Sequence, residues 1–195
     1  MTQPTNTATP SQSVYPVTPA EGVETECILA IIVDNEPGVL GRVVGLFSAR
    51  GYNIESLTVA ETDAAKNHSR ITVVTHATPA KVDQIKLQLG RLVPVRTVID
   101  VSKEADALER ELALVKVVGT GESRVEAMRM GEIFRARALD ITHTSFIFEL
   151  TGSRDKINAF VDLMRPLGLI EVSRTGVLSI RRGAEPDEQI ESMTA

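Results

Sequence analysis

Val-Asp-Asn-Glu-Pro-Gly-Val-Leu-Gly-Arg-Val-Val-Gly-Leu-Phe-Ser-Ala-Arg-Gly-Tyr-Asn-Ile-Glu-Ser-Leu-Thr-Val, residues 33–59, decides how the rest of the chain is read. An apolar run, Cys27 to Val33, ends at Asp34-Asn35-Glu36-Pro37-Gly38. Side chains carrying carbonyl oxygens cap helix starts, and proline is tolerated in a first turn because its missing N–H has no partner there anyway. A helix over Pro37–Arg50 is therefore expected, with Val39, Leu40, Val43, Val44 and Phe47 on one stripe. Gly51 should stop it, because glycine enters left-handed space freely. Asn53 then opens a second strand.

The same helix carries Gly38, Gly41 and Gly45 at i, i+3 and i+7, on one face. A glycine inside a helix costs about 1 kcal/mol relative to alanine. Two such positions suggest that bare backbone is wanted there. Two readings fit: close packing of the helix on a neighbour, or approach of a ligand. Amides at Gly38 and Val39, at the positive end of a helix, suit a small carboxylate.

The 195 residues allow one large or two small domains. A hydrophobic fraction of 43% is enough to fill a core. The formal net charge of −5 argues against a nucleic-acid partner, which would want a basic patch. No apolar run approaches the roughly 20 residues needed to span a bilayer. Cys27 is the only cysteine, which excludes an intrachain disulfide framework and fits a reducing, cytoplasmic setting.

Residues 1–25 are rich in Thr, Pro, Ser and Gln and are expected to be a disordered tail. Cys27–Val33 reads as a central strand. The Pro37 helix follows, then strands over Asn53–Ala60 and Arg70–His76 separated by a polar loop, Thr62–Ser69. A helix begins at Pro79 with Val82, Ile85, Leu89 and Leu92 inward. A strand over Val93–Val101 comes last, placed at a sheet edge by Pro94. That order, βαββαβ, folds most compactly as a ferredoxin-like antiparallel sheet with both helices on one face. Lys103–Glu111 reads as a charged helical linker. The pattern then repeats: a strand over Leu112–Val118, and a helix over Ser123–Arg137 with Met130, Ile133 and Phe134 inward. Strands follow at Ala138–Thr142 and Ser145–Leu150, then a helix to Leu167 with Ile157, Phe160, Val161 and Met164 inward. The segment Ile170–Arg181 is a last strand or a hairpin around Gly176. The expected class is α+β: two tandem ferredoxin-like domains, residues 26–102 and 112–183, joined by 103–111 and ending in an acidic tail, 184–195.

No residue set suggests catalysis. The histidines, at 68, 76 and 143, have no metal-ligand spacing, and no metal site is expected. No phosphate-binding glycine loop appears. Arg135-Ala136-Arg137 reads most simply as a solvated helix face. An RNA-binding module of this topology would need aromatic residues in its central strands, and Cys27–Val33 and Arg70–His76 hold none. An acyl-phosphatase-like enzyme would want an arginine-bearing loop where this chain has Asp34-Asn35-Glu36.

The run Asp34–Leu40, continued by Leu46–Val59, closely resembles the regulatory small subunit of acetolactate synthase (acetohydroxyacid synthase). Its first half is similar to the family's ACT domain. Leu114–Val117, Glu132–Arg135 and Glu171–Val177 resemble the C-terminal domain of that subunit. The resemblance implies regulation rather than chemistry. It implies a partner, the large catalytic subunit, which this chain would activate and make sensitive to valine or another branched-chain amino acid. Thiamine diphosphate, magnesium and FAD would belong to that large subunit, and no cofactor to this chain. It further implies a homodimer through ACT domains, with the effector at the dimer interface. The matching positions are Asn35, Gly38, Val39 and Leu40 from one chain, and Asn53 and Ile54 from the other. The bottom-up chemistry is compatible: the two asparagine amides offer donors and acceptors to a zwitterion, and Leu40 and Ile54 offer apolar surface. A free-standing ACT-type amino-acid sensor acting on a different enzyme or regulator is the alternative.

Overall fold

The computed structural model of the chain describes residues 22–63, 65, 67–103 and 107–183. Residues 1–21 of the expected first tail and the expected tail 184–195 lie outside those residues; residues 22–25 are described, and Thr25 already begins a strand. The first half runs β1 (Thr25–Asp34), α1 (Val39–Ala49), β2 (Ser56–Asp63), β3 (His68–Ala77), α2 (Pro79–Leu89) and β4 (Val95–Asp100). The second runs β5 (Ala107–Val118), α3 (Gly121–Phe134), β6 (Arg137–Ile141), β7 (Ser145–Gly152), α4 (Arg154–Met164), β8 (Leu169–Arg174) and β9 (Leu178–Arg181).

Both halves form the expected ferredoxin-like unit. The first sheet has the order β2-β3-β1-β4, and the second β6-β7-β5-β8, with all pairings antiparallel. β4 lies at the edge, as Pro94 required, and the Pro94 carbonyl accepts the Asp34 N–H at 2.8 Å. In the first unit Cys27, Leu29, Ile31 and Val33 pack with Val43 and Phe47 of α1 and with Ile85 and Leu89 of α2. In the second, Val115, Val117, Phe148 and Leu150 pack with Ile157, Phe160 and Met164 of α4. Thr78 and Ser153 cap α2 and α4, each accepting the N–H three residues on.

β1 is covered on its other face too. Its alternate residues Ile28 and Ala30 join Val74, Ile99, Val101 and Val177 in a third apolar cluster. The cover is a two-stranded ribbon: the first residues of β5, Ala107–Arg110, pair with β9. Burial pushes the Cys27 thiol up to about 11 and keeps it protonated at neutral pH.

Four expectations change here. The stretch read as a helical linker, 103–111, begins at the last residue of a short 3-10 turn, Val101–Lys103, and ends in the first five residues of β5. Glu111, read as solvated, is 4% exposed and takes a two-pronged bond from Arg174 at 2.7 and 2.6 Å. The end of the chain is not a hairpin around Gly176: β8 pairs with the second half of β5 and β9 with its first half. In α3, Met130 and Phe134 pack against the core, but Ile133 is 63% exposed. Small residues, Ala127 and Gly131, make the buried contact instead, and a Cβ at Gly131 would lie 2.8 Å from the Phe148 ring.

Gly168 gives a direct test of the second unit. It has φ +101, and any Cβ there would collide with the Val118 carbonyl oxygen, whose own N–H is bonded to the Gly168 carbonyl at 2.8 Å. Gly168→Ala should lower the urea unfolding free energy by about 2 kcal/mol or more, since left-handed strain alone costs roughly 1–2 kcal/mol. An unchanged midpoint would contradict this β5–β8 junction.

Candidate functional site

The turn after β1 is built differently from the sequence expectation. Helix α1 starts at Val39, and its N-cap is Gly38 at φ +85, with no side-chain cap. The Asp34 carboxylate is used elsewhere: Arg96 Nε donates to it at 2.8 Å, and His68 Nε2 lies 3.6 Å away. Asn35 does not cap either. Its backbone is clamped by the β2–β3 hairpin: the Asn35 N–H donates to the Asn67 carbonyl at 2.7 Å, and Asn67 Nδ2 donates to the Asn35 carbonyl at 3.2 Å. Asn67 itself is left-handed, at φ 54. The sequence reading put this segment in an undifferentiated polar loop.

Of the two amides expected to be open, Val39 N–H donates to the Glu36 carbonyl at 3.2 Å, closing the turn. The Leu40 and Gly41 amides lie within the first turn of α1, where no preceding helical carbonyl exists to accept them. Val39 is 6% exposed and belongs to the core, whereas Leu40 is 38% exposed and faces outward.

The glycine face is open. A Cβ at Gly38, Gly41 or Gly45 would meet nothing within 4 Å. Packing of α1 on its own sheet, the blander reading, therefore does not account for these glycines. That packing is done by Val39, Val43 and Phe47.

Asn53 and Ile54 precede the second strand rather than lying in it, since β2 begins at Ser56. The Asn53 carbonyl accepts the Thr75 hydroxyl at 2.6 Å, and Asn53 is exposed. Ile54 is half-buried against the first core. These two residues lie past the far end of α1 from Asn35 and Gly38. An 11-residue helix is roughly 16 Å long, so one chain does not bring the two groups together.

A polar cluster absent from the sequence reading lies nearby. Glu26 and His76 are opposite each other across β1 and β3, and His76 Nδ1 is 2.7 Å from Glu55 Oε1. Glu26, Glu55 and His76 place three ligand-type atoms within 4.8 Å of one another. Arg154, from the first turn of α4, pairs with Glu26 and also with Glu55 at 3.4 Å. No local spacing could reveal it, because its members come from four separate segments. Arg135 and Arg137 are both exposed but not on a helix face: Arg135 caps α3 in a left-handed conformation and Arg137 begins β6. Among the described residues no helix is long and apolar enough to cross a membrane.

Against this geometry the comparisons with known proteins are decisive. Residues 110–183 match a family described as the small subunit of acetolactate synthase, and residues 29–97 match the small subunit-like ACT domain of acetohydroxyacid synthase. A probable acetolactate synthase small subunit from Archaeoglobus fulgidus is 44% identical over 155 residues, 80% of this chain and 96% of that one. The acetolactate synthase isozyme 3 small subunit of Salmonella typhimurium is 44% identical over 157 residues, 80% of this chain and 95% of that one. The crystal structure of the small subunit from Thermotoga maritima matches with a TM-score of 0.76 at 33% identity, covering 83% of this chain and 99% of that one. The chain belongs to the acetolactate synthase small-subunit family. In this family the small subunit is regulatory, catalysis belongs to the large subunit, and a large catalytic subunit is the implied partner.

The open glycine face yields a measurement. At concentrations where the chain is monomeric, Gly41→Ala and Gly45→Ala should each raise the urea unfolding free energy by about 1 kcal/mol, the helix-propensity gain, because the added methyl strikes nothing. A loss in either would mean that the face is already occupied within one chain.

Proposed function

We propose that this chain activates the catalytic subunit of acetolactate synthase and confers feedback inhibition by valine or a related branched-chain amino acid. The reaction regulated joins two pyruvates to acetolactate, or pyruvate and 2-oxobutyrate to the hydroxybutyrate homologue. Thiamine diphosphate, magnesium and FAD reside on the catalytic subunit in this reading.

The observation that carries it is the division of the effector residues between the two ends of α1. Asn35, Gly38, Val39 and Leu40 mark one end, and Asn53 and Ile54 the other. A complete site therefore requires a second copy, placed so that its Asn53-Ile54 meets this chain's Gly38 turn. The bare face of α1 supports the pairing, since nothing among the described residues covers Gly41 or Gly45. Leu40 and Gly41 amides hold the carboxylate, the asparagine amides take both charged ends, and Leu40 and Ile54 flank the branched side chain. Val39 serves by fixing the first turn, since its own N–H is engaged.

Valine has about 8 heavy atoms, and at roughly 0.5–1 kcal/mol each its affinity falls between millimolar and micromolar. Inhibition further requires that valine bind the less active assembly more tightly, because equal affinity for both shifts nothing.

Adding the chain to the isolated catalytic subunit should raise acetolactate production, and valine should then lower it. Gly38→Asp should abolish the inhibition and the calorimetric heat of valine binding. Aspartate tolerates left-handed backbone better than most residues, so the fold survives while a negative charge enters the carboxylate position. The variant should keep a cooperative melting transition. Wild-type inhibition in Gly38→Asp would overturn the assignment of the site.

A further inference from the structure

The junction between the two domains is fastened to the residues that directly follow Asn53-Ile54. Glu55 receives Arg154 at 3.4 Å, and the same guanidinium pairs with Glu26. Ser56 Oγ accepts the Val177 N–H at 3.3 Å. Thr58 Oγ1 donates to the Thr175 carbonyl at 3.0 Å. These contacts run from Glu55, Ser56 and Thr58 of one domain to the start of α4 and to the β8–β9 turn of the other.

The approach is close by construction. Gly176 has φ +82, and a Cβ there would run into Ser56 Oγ and lie 3.1 Å from Thr58 Oγ1. At that φ a side chain is strained, and its Cβ would displace the Ser56 hydroxyl that bonds the turn. A polar cleft of about 420 Å³ opens beside it, lined by Glu55, Ser56, Arg154, Asn158 and Arg174 among others. Arg174 continues the chain of contacts inward, to Asn158 Oδ1 at 2.8 Å and to the buried Glu111 of β5.

On its other side the same segment is tied to β3. The Glu55 N–H donates to the Val74 carbonyl at 2.9 Å, and the Asn53 carbonyl accepts from Thr75 at 2.6 Å. A displacement of residues 53–55 therefore cannot be absorbed by slack in a loop. It must pull on β3 or on the seam. The seam is the softer of the two: its carboxylates and Arg154 are one-quarter to one-third exposed, and such ion pairs are weakly held.

We propose that occupancy of the effector segment Asn53-Ile54 is transmitted to the second domain through this seam, with Arg154 and Gly176 as its positioning residues. The inference rests on the effector reading above and adds the route by which a ligand on the ACT domain reaches the rest of the chain. The module at the far end of the seam is the one matched by the small-subunit family itself, residues 110–183. Coupling of this kind amounts to about 5- to 150-fold in affinity between linked states.

The test uses the full chain, with valine as probe. Calorimetry establishes binding, and hydrogen exchange is followed across residues 169–181 and the first turn of α4. In the wild type, valine should change exchange there at least twofold. In Arg154→Gln, valine should still bind within threefold of the wild-type affinity, while the change at residues 169–181 disappears and maximal inhibition of the holoenzyme falls. Thr58→Val, which removes one hydrogen bond with little change of shape, should give a smaller loss of the same kind and stands in if Arg154→Gln does not fold. Valine bound to the wild type with no change in exchange across the seam overturns the inference and leaves the effector reading intact. So does an exchange response in both variants equal to that of the wild type. Loss of valine binding along with the response would make the seam a mere prop for the site, which also overturns it. A wild type that binds no valine removes the effector reading, and this inference with it.

Discussion

Everything in the first domain depends on a strand that must be hidden on both faces. Seven consecutive residues of β1, Cys27 to Val33, are buried at 7% exposure or less. Helices α1 and α2 cover the odd-numbered side chains. The even-numbered ones need a second cover, which the first domain does not contain. Ala107 at the start of β5 and Val177, just before β9 and 2% exposed, join Ile28 and Ala30 on that side. The hydrophobic effect, at about 25 cal/mol per Å² of apolar surface, therefore ties the domains together more firmly than any linker.

That constraint explains the division of labour within β5. Its twelve residues serve two sheets. The first four pair with β9 over the first domain's sheet, and the later ones pair with β7 and β8 as the central strand of the second. Glu111 lies where the strand passes from one role to the other. A carboxylate buried at such a point would be costly if unpaired, and the bidentate Arg174 contact satisfies both oxygens.

Both ferredoxin-like units were legible because their side chains follow the two simple periods, near two in strands and near four in helices. Pro94 marked the edge strand and Gly51, at φ +69, the end of α1. What the pattern did not carry were contacts between distant segments. The charges at Glu109, Arg110 and Glu111 suggested a solvated helix, but a two-stranded ribbon also presents polar residues on its outer side, and Glu111 found its partner 63 residues away. Ile133 was misplaced because α3 packs through Ala127 and Gly131, so its largest side chains do not mark its buried stripe. At the site, the glycine pattern was readable, but its meaning was not. Only the empty space beyond Gly41 and Gly45 rules out packing on the chain's own sheet. Asn67 and Arg154 gave no local signal at all, since each acts on a residue far away in sequence.

The two ends of α1 also differ in how firmly they are held, and this bears on which of them can respond. The Gly38 end is anchored from two directions, by Asn67 on the Asn35 backbone and by Arg96 on Asp34. Its geometry is set before any ligand arrives, which suits recognition of a fixed carboxylate. The Asn53 end is tied by backbone to β3 but continues directly into an interface of partly exposed ion pairs and single hydrogen bonds. Contacts of that kind contribute little stability each. They can rearrange without unfolding the apolar clusters on either side. In the effector reading proposed above, a preformed half that binds and a compliant half that yields is the arrangement by which a weak ligand, worth only a few kcal/mol, can change the state of a whole chain.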